Sequence, residues 1–365
     1  MEEYEANPQP LNRSDVPLRS YVEMDDITSD LILPFDYSSE GSESFYPYLV
    51  PKNLPSDFKL GVIVGSSGTG KSTLLKEFGS PEDIVWKPNR SIASHFSSSV
   101  EANEKFSAAG LMSVPTWVKP YSVLSNGERF RADLARSLRS GAVIDEFTSV
   151  IDRNVAKAAS TSISKYIRRN DIFGVVLATV HRDILEFLDP DWIIDTDKGQ
   201  WTSGRWLHRP ELVIDIYPAK NSIWSYFAPH HYLSEQLNKA SHSYVAIWEG
   251  RLVGFASAMT YPSGTVKNAW REHRLVVHPD FQGFGFGPRI SEAVAQHYVD
   301  QGKRYFSKTS HPRLGEYRDN SSAWKPTSKN HMKRRDGVNN AHKLRWGMNH
   351  ERWSYSHEYC GTSVF

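Results

Sequence analysis

The stretch Gly65-Ser66-Ser67-Gly68-Thr69-Gly70-Lys71-Ser72 decides the fold of the first half of this 365-residue chain. It follows a short run rich in β-branched residues, from Lys59 to Val64, and precedes a segment with helical spacing. A strand, a glycine-rich loop and a helix in this order present backbone N–H groups to phosphate oxygens. The spacing matches a P-loop, which predicts ATP as the ligand. The residues expected to bind the nucleotide are Gly65, Ser66, Gly68, Gly70, Lys71, Ser72 and Thr73.

Length and composition favour two globular domains of ordinary size. The chain is 39% hydrophobic and 12% aromatic, and no apolar run approaches the roughly 18 residues that a bilayer span requires. Residues Met1 to Glu5 lack the basic and apolar regions of a secretory signal. A lone cysteine, Cys360, can form no internal disulfide. We therefore expect a soluble, cytoplasmic protein without a membrane partner.

Charge is distributed unevenly along the chain. Residues 1–45 hold 11 acidic residues against 2 arginines, whereas residues 303–353 hold 13 basic against 4 acidic residues. Residues 1–44 are also rich in Ser and Pro, a composition typical of an extended arm. Apolar stretches such as Leu31 to Leu33 leave open that the arm packs on the protein. The charge contrast suggests that the arm covers the basic end until a substrate displaces it.

A second element of the phosphate site follows downstream. The sequence Val143-Ile144-Asp145-Glu146 has the pattern of a buried strand that ends in two carboxylates. We expect Asp145, together with Ser72, to hold Mg²⁺, and Glu146 to polarise the water that attacks the γ-phosphate.

Three further motifs occur in a fixed order around this strand. Leu124-Ser125-Asn126-Gly127-Glu128 resembles the LSGGQ signature of ABC-type ATPases, Thr148 to Asp152 resembles their D-loop, and Thr179-Val180-His181 resembles their switch histidine. The resemblance covers about residues 45–206. It implies that ATP binding drives homodimerisation, with Ser125 and Gly127 capping the nucleotide of the partner copy. It also assigns Asp152 to the nucleotide site and a catalytic role to His181.

The chain departs from the ABC pattern at several positions. Asn126 and Glu128 replace the usual Gly and Gln, and Phe147 replaces a Pro. No Gln lies between Lys71 and Glu146, so the Q-loop, which couples transporters to their membrane partners, is missing or substituted. These departures favour a soluble ATPase over a transport subunit.

A second glycine loop lies about two hundred residues after the first. The run from His273 to Val277 has the pattern of a strand, Gln282-Gly283-Phe284-Gly285-Phe286-Gly287 follows it, and Pro288 suits the start of a helix. This run resembles motif A of the GNAT acyltransferases. The resemblance implies that Gln282, Gly283, Gly285 and Gly287 bind the pyrophosphate of acetyl-CoA or another acyl-CoA. It also implies that Val276 and Val277 pair with the pantetheine arm.

The residues that would catalyse acyl transfer are less evident. Glu272 precedes the second glycine loop and is a candidate general base, although a solvated strand-edge carboxylate is the alternative. His311 and Tyr317 follow the next predicted strand, where GNAT proteins often place the general acid. The aromatic stretch Trp224 to Phe227 fits either an acceptor pocket or core packing.

The basic end of the chain combines cations with aromatic side chains. Lys333-Arg334-Arg335 and neighbouring cations are interleaved with Trp324, Trp346 and Trp353. Phosphate contacts beside stacking surfaces are typical of nucleic-acid binders, and a solvated cationic face is the alternative. The chain looks like ABC ATPases fused to an acetyltransferase domain. The second glycine loop and the residues after it also resemble Mom-type GNAT enzymes, which modify adenine in phage DNA.

The predicted architecture is an α/β protein with three parts. Residues 1–44 form an acidic arm, 45–207 an ABC-type P-loop ATPase domain, and 208–365 a GNAT-fold α+β domain with a basic C-terminal region. The predicted function is ATP-gated acyl transfer to an amine, with a nucleic-acid base as the leading acceptor. Two alternatives remain: a nucleic-acid-binding ATPase clamp whose GNAT-like half has no chemistry, and a protein or small-molecule N-acetyltransferase.

Overall fold

A computed structural model describes residues 7–35, 41–205, 207–231, 236–334 and 352–361. Its contacts divide the chain into two compact units. The first comprises Met1–Leu111 and Lys119–Pro210, and the second comprises Met112–Val118 and Glu211–Phe365. The sequence gives no sign that the short segment Met112–Val118 belongs to the second unit.

Both units contain strands and helices. The strands are β1 Gln9–Pro10, β2 Leu18–Tyr21, β3 Ser42–Phe45, β4 Leu60–Val64, β5 Val143–Ile144, β6 Val175–Thr179, β7 Trp192–Asp195, β8 Gln200–Ser203, β9 Asp215–Ala219, β10 His242–Trp248, β11 Arg251–Thr260, β12 Ala269–Val277, β13 Arg304–Thr309, β14 Trp324–Pro326, β15 Met332–Arg334 and β16 Arg352–Tyr359. The helices are α1 Asp26–Ile32, α2 Lys71–Leu75, α3 Ser99–Ala108, α4 Val114–Trp117, α5 Asn126–Ser137, α6 Arg153–Arg169, α7 Leu185–Leu188, α8 Trp224–Phe227, α9 Phe286–Val299 and α10 Pro312–Asp319.

The first unit is built on a six-stranded sheet in the order β1-β8-β7-β4-β6-β5. Strand β4 pairs in parallel with both β6 and β7, and β5 pairs in parallel with β6. The loop that follows β4 and the carboxylates that follow β5 therefore emerge at the same edge of the sheet, separated by the end of β6. This arrangement confirms the expected P-loop α/β fold.

The N-terminal arm contributes to this sheet. Residues Gln9 and Pro10 pair with β8, and Leu11 packs against the core that includes Trp192 and Trp201. Strands β2 and β3 form a separate two-stranded ribbon. Large apolar side chains of the arm between Val16 and Phe35 are nevertheless exposed.

The second unit is built on a mostly antiparallel sheet in the order β14-β16-β13-β12-β11-β10-β9, with β15 paired to β16. Helix α9 packs so closely on this sheet that a Cβ atom at Gly254 would lie 2.5 Å from Ile290 Cδ1. Trp224 and Phe227 are buried against Phe255 and Val276, which confirms core packing for these two rings.

The parallel pair β12–β13 is short, and this shortness creates an opening in the sheet. Only Ala269–Arg271 of β12 pair with Arg304–Phe306 of β13. Strand β12 continues to Val277, where its other edge still pairs with β11 up to Gly254. From Glu272 onward, the edge of β12 that faces β13 therefore lies outside the ladder between them.

Three elements differ from the bounds that the sequence pattern predicts. Helical spacing predicts a helix from Arg129 to Arg139, whereas α5 is Asn126–Ser137. Strand patterns predict His273 to Val277 and Leu212 to Ile216, whereas β12 is Ala269–Val277 and β9 is Asp215–Ala219. Within the described residues, none of the helices has the length and apolar character that a membrane span requires.

Candidate functional sites

The P-loop has the backbone geometry that phosphate binding requires. Gly65 donates its N–H to the Thr179 carbonyl at 3.3 Å and ends β4. Gly68 and Gly70 have φ angles of +80° and +92°, a left-handed conformation that favours glycine. Gly70 is the N-cap of α2. The loop thus turns twice and directs the start of a helix at the space above it, with Ser72 and Thr73 in the first turn.

Lys71 lies among acidic residues of the same unit. Its Nζ donates to the Ser66 carbonyl at 2.6 Å. Burial lowers the pKa of Lys71, and the nearby carboxylates of Asp197, Asp145 and Glu146 oppose part of that shift. The two acidic residues predicted to serve the nucleotide are therefore electrostatic neighbours of the P-loop lysine.

An aromatic ring that sequence reasoning missed lies against the P-loop. A Cβ atom at Gly70 would lie 2.5 Å from Phe45 Cζ, so this ring contacts the loop directly. Aromatic faces stack readily on nucleobases. The only sequence signal was an aromatic residue shortly before β4, which by itself does not distinguish a base-stacking ring from a core residue.

The backbone that carries the predicted catalytic carboxylate is strained. Glu146 and Thr148 have φ angles of +49° and +70°, and a left-handed β-branched residue is a genuine outlier. Asp145 Oδ1 accepts the Glu146 N–H at 2.8 Å. Phe147, which replaces the usual Pro, is fully buried and anchors this segment. Such strain clusters at functional sites.

His181 contacts this strained segment, and Asp152 follows it in the chain. His181 Nδ1 is 3.1 Å from Thr148 Oγ1. Burial, with a contribution from Arg153, lowers the pKa of His181, which favours the neutral ring. Asp152 is the N-cap of α6 and accepts the Asn154 N–H at 2.8 Å.

The signature motif forms the start of α5. Ser125 is the N-cap, and its hydroxyl accepts the Glu128 N–H, while the Glu128 carboxylate accepts the Ser125 N–H at 2.9 Å. This reciprocal pair is a capping box. The acidic residue that replaces the family's Gln therefore has a local structural role, and Gly127 lies in the first turn of the helix.

The second glycine loop joins β12 to α9. Gly283 and Gly285 have φ angles of +115° and +89°, and Gly285 is the N-cap of the helix. The Gln282 side chain donates to the Val277 carbonyl at 3.1 Å and accepts the Met112 N–H at 3.0 Å. Gly287 packs on Val277 in the first turn. These contacts hold the backbone N–H groups of the loop beside the end of β12.

A slot of about 270 Å³ lies in the opening of the sheet. Its lining includes β12 from Glu272 to Val277, the glycine loop, Thr309 at the end of β13 and His311 at the start of α10. The diverging strand edge, the left-handed glycines and the N-terminus of a 14-residue helix fit a long ligand with an anionic end. These residues therefore fit the coenzyme A predicted for this loop.

Glu272 lies in a buried ion pair. Its carboxylate accepts from Arg318 Nη2 at 3.1 Å on both oxygens, and from the hydroxyls of Ser291 and Ser307 at 2.6 and 3.0 Å. The Arg318 side chain is 1% exposed and the Glu272 side chain 8% exposed. All acceptor directions of this carboxylate are thus engaged, an arrangement that favours a structural role over proton abstraction.

The two candidate acids differ in their access to the slot. The Tyr317 hydroxyl donates to Glu292 at 2.9 Å, and burial together with that bond raises the pKa of Tyr317 to about 12. His311 lines the slot, and burial lowers its pKa. His311 Nδ1 accepts the Leu314 N–H at 3.5 Å as the cap of α10. Burial therefore favours the neutral form of the His311 ring.

The slot is also lined by three histidines that sequence reasoning missed, His230, His231 and His273. Burial, with the positive charge of Arg274, lowers the pKa of both His231 and His273 to about 4. His273 Nε2 accepts the Asn238 N–H at 3.2 Å. The paired His230 and His231 were a visible sequence signal, but their proximity to β12 depends on the tertiary fold.

The described tryptophans of the basic end differ in their exposure to solvent. Trp324 is buried and donates to Glu292, so it is not the stacking surface that its sequence context suggested. Trp353 is 47% exposed, and Lys333 Nζ lies 5.2 Å from its ring centroid. Arg335 and Trp346 lie outside the described residues.

Residues 209–317 match the family model of the acetyltransferase (GNAT) family. The C-terminal half of the chain carries a GNAT acetyltransferase domain. The prediction of this domain from its glycine loop is thereby confirmed. No curated protein shows significant similarity to the chain.

Solved structures of low sequence identity resemble each half. A Bacillus subtilis acetyltransferase in complex with CoA shares 13% identity, covers 41% of this chain and 98% of its own, and has a TM-score of 0.29. A dimeric ATP-binding cassette bound to ADP and Pi shares 15% identity, covers 51% of this chain and 93% of its own, and has a TM-score of 0.34. The ribosomal-protein-S18-alanine N-acetyltransferase of Escherichia coli shares 11% identity, covers 42% and 99%, and has a TM-score of 0.29.

Proposed function

We propose that this protein is an ATP-gated acyl-CoA acyltransferase that modifies an amine, with a nucleic-acid base as its acceptor. The observation that carries the proposal is the slot between β12 and β13, which ends at a left-handed glycine turn and a helix N-terminus. Acyl-CoA supplies an activated thioester carbonyl. The backbone groups of Val276 and Val277 bind the pantetheine arm, and the N–H groups of the glycine loop bind the pyrophosphate.

His311 lines the slot and is a candidate for moving the proton of the reaction. When the amine attacks the carbonyl, a C–N bond forms, the C–S bond breaks, and the proton that the nitrogen loses is the one that the departing sulfur gains. The neutral ring of His311 can relay that proton by taking it up as imidazolium and giving it to sulfur. Tyr317 is engaged with Glu292, which argues against it in this role.

The charges around the slot favour an acceptor amine that is neutral at pH 7. Arg274, Lys308 and Arg313 line the slot, and Glu272, the one carboxylate that lines it among the described residues, is paired with Arg318. A lysine-like ammonium, with a pKa of about 10.4, must lose a proton before it attacks, and it is repelled by this lining. The exocyclic amine of a nucleobase is already uncharged, and the phosphates of the nucleic-acid backbone are attracted by the same cations.

The first unit supplies the ATP site of the proposal. Ser72 and Asp145 would offer the hydroxyl and carboxylate oxygens that Mg²⁺ prefers, and Glu146 would orient the attacking water. The Ser125 cap of α5 is the surface that a second copy would present to the γ-phosphate. ATP-driven homodimerisation is therefore part of the proposal, and the nucleotide would act as a gate for acyl transfer.

The test is mass spectrometry of nucleosides from cells that express the protein or its variants. The proposal predicts an acylated nucleoside that disappears with Gly285→Glu, because the new carboxylate repels the pyrophosphate. Gly302→Glu is the matched control, since Gly302 has a positive φ of +69° with open space around it and follows the C-terminal end of α9, whereas the slot lies at the N-terminal end of that helix. Purified protein should also bind acetyl-CoA. An unmodified nucleoside pool, with acylated protein or small amines instead, would reject the nucleic-acid acceptor.

A second candidate function is a nucleic-acid-binding ATPase clamp whose GNAT half does no chemistry. It is favoured by the engagement of both Glu272 and Tyr317 in contacts within the fold. Its signature would be ATP hydrolysis that is stimulated by DNA or RNA and lost in Glu146→Gln, without an acyl product. Acyl transfer that depends on His311 would exclude it.

A further inference from the structure

The segment that carries the switch histidine is tied to three different elements of the first unit. His181 contacts Thr148, which follows the catalytic strand β5. Arg182 pairs with Asp195 and Asp197 in the turn between β7 and β8. Asp183 accepts from Arg153 Nε at 3.1 Å, at the start of α6. Three consecutive residues thus connect the switch to the rest of the nucleotide site.

Asp197 extends this connection to the P-loop. Its Oδ1 accepts the Ser66 backbone N–H at 2.8 Å, and its Oδ2 lies 3.2 Å from Ser66 Oγ and 2.9 Å from Arg182 Nη2. The Ser66 N–H chiefly, with help from Arg182, lowers the pKa of Asp197, so the carboxylate is ionised at neutral pH. One carboxylate therefore joins the residue after the switch histidine to the first turn of the P-loop.

The turn that carries Asp197 is rigid. Asp195 accepts the N–H groups of Asp197 and Lys198 at 3.1 and 3.0 Å, and it receives two bonds from Arg182. Thr196 Oγ1 lies 2.7 Å from Thr69 Oγ1, and a Cβ atom at Gly65 would lie 2.0 Å from Thr196 Oγ1. A displacement of Arg182 is therefore transmitted through the turn instead of being absorbed by it.

We infer that Asp197 is a positioning residue that couples the switch histidine to the P-loop through Arg182 and Ser66. The inference rests on the proposed ATP site. A γ-phosphate that draws His181 toward it moves the adjoining Arg182, and the Arg182–Asp197–Ser66 chain carries that movement to the loop that holds the β-phosphate. ADP lacks the γ-phosphate and leaves the chain in its resting position. The link thus makes the P-loop respond to the difference between ATP and ADP.

The experiment measures the ratio of the dissociation constants for ADP and ATP by displacement of a fluorescent nucleotide. All variants are made in the full chain carrying Glu146→Gln, so that ATP is not turned over during the measurement. Asp197→Asn keeps an oxygen for the Ser66 N–H but removes the charge that pairs with Arg182. We expect it to lower the ratio about three- to ten-fold, within the range of one charge-assisted hydrogen bond at a partly exposed site.

A double-mutant cycle separates coupling from a merely structural effect. If the Arg182–Asp197–Ser66 chain acts through His181, adding Asp197→Asn to a His181→Ala background lowers the ratio of the ADP and ATP dissociation constants no further than His181→Ala alone. Asp171→Asn, which removes an ion pair between Lys59 and an exposed carboxylate, is the control and should leave the ratio unchanged. Additive effects, or an Asp197→Asn ratio equal to that of the control, overturn the inference while the ATP site stands. A parent protein that binds no nucleotide overturns both.

Discussion

Replacement of Glu272 by Gln distinguishes a structural carboxylate from a general base. The change leaves the guanidinium of Arg318 buried without its counter-charge, with the hydroxyls of Ser291 and Ser307, the Trp324 ring and the new amide as neutral partners. Removal of one member of a buried ion pair costs about 3–5 kcal/mol. For a unit of roughly 150 residues this corresponds to a fall in melting temperature of about 10 °C.

The assay is scanning calorimetry of the full chain, combined with acyl transfer followed as thiol release from acetyl-CoA. We expect Glu272→Gln to lower the transition of the second unit while the rate per folded molecule stays within about three-fold of the parent. Glu358→Gln, which breaks the more exposed pair with Arg304, is the matched control and should cost under about 1 kcal/mol. A variant that keeps its melting temperature and loses about 10²-fold or more in rate would refute the reasoning, because that is the behaviour of a general base.

Two further predictions concern the P-loop and the slot. Gly70→Ala should weaken ATP binding at least about ten-fold in equilibrium titration, because a Cβ atom there meets Phe45 and the φ of +92° disfavours alanine. The control is Gly204→Ala, which should leave ATP binding intact because Gly204 has the same φ with open space around it. The pKa values of His231 and His273 are depressed in the folded protein, so the unfolded chain binds more protons than the folded chain below pH 6.5. The free energy of unfolding should therefore fall as the pH is lowered from 6.5 to 4, by up to about 1.4 kcal/mol per pH unit for each histidine. Urea titrations should show a shallower fall for His273→Gln, and an equal slope would contradict the assignment.

Motifs whose chemistry is carried by the backbone were readable from the sequence. The two glycine loops require left-handed residues between a strand and a helix, and that need is expressed within a dozen consecutive positions. The capping box at Ser125 and Glu128 is equally local. For these features short-range geometry fixes the structure, so the sequence contains the necessary information.

Side-chain partners from distant strands were not readable in this way. The sequence offered Glu272 as a base, but its pairing with Arg318 depends on how α10 packs on β12 and β13, 46 positions further along the chain. His231 approaches His273 and Phe45 reaches Gly70 for the same reason. A one-dimensional pattern does not encode which side chains share a buried environment, and burial decides whether a carboxylate or imidazole is charged.

The sequence by itself determined that this protein has a P-loop α/β unit and an acetyltransferase domain, because each depends on a glycine loop with local conformational demands. Only the tertiary structure decided which groups can do chemistry around those loops. It engaged Glu272 in an ion pair, placed His311 in the lining of the slot, and joined Asp197 to Ser66, because the protonation state and reach of a side chain are set by neighbours that the fold brings together.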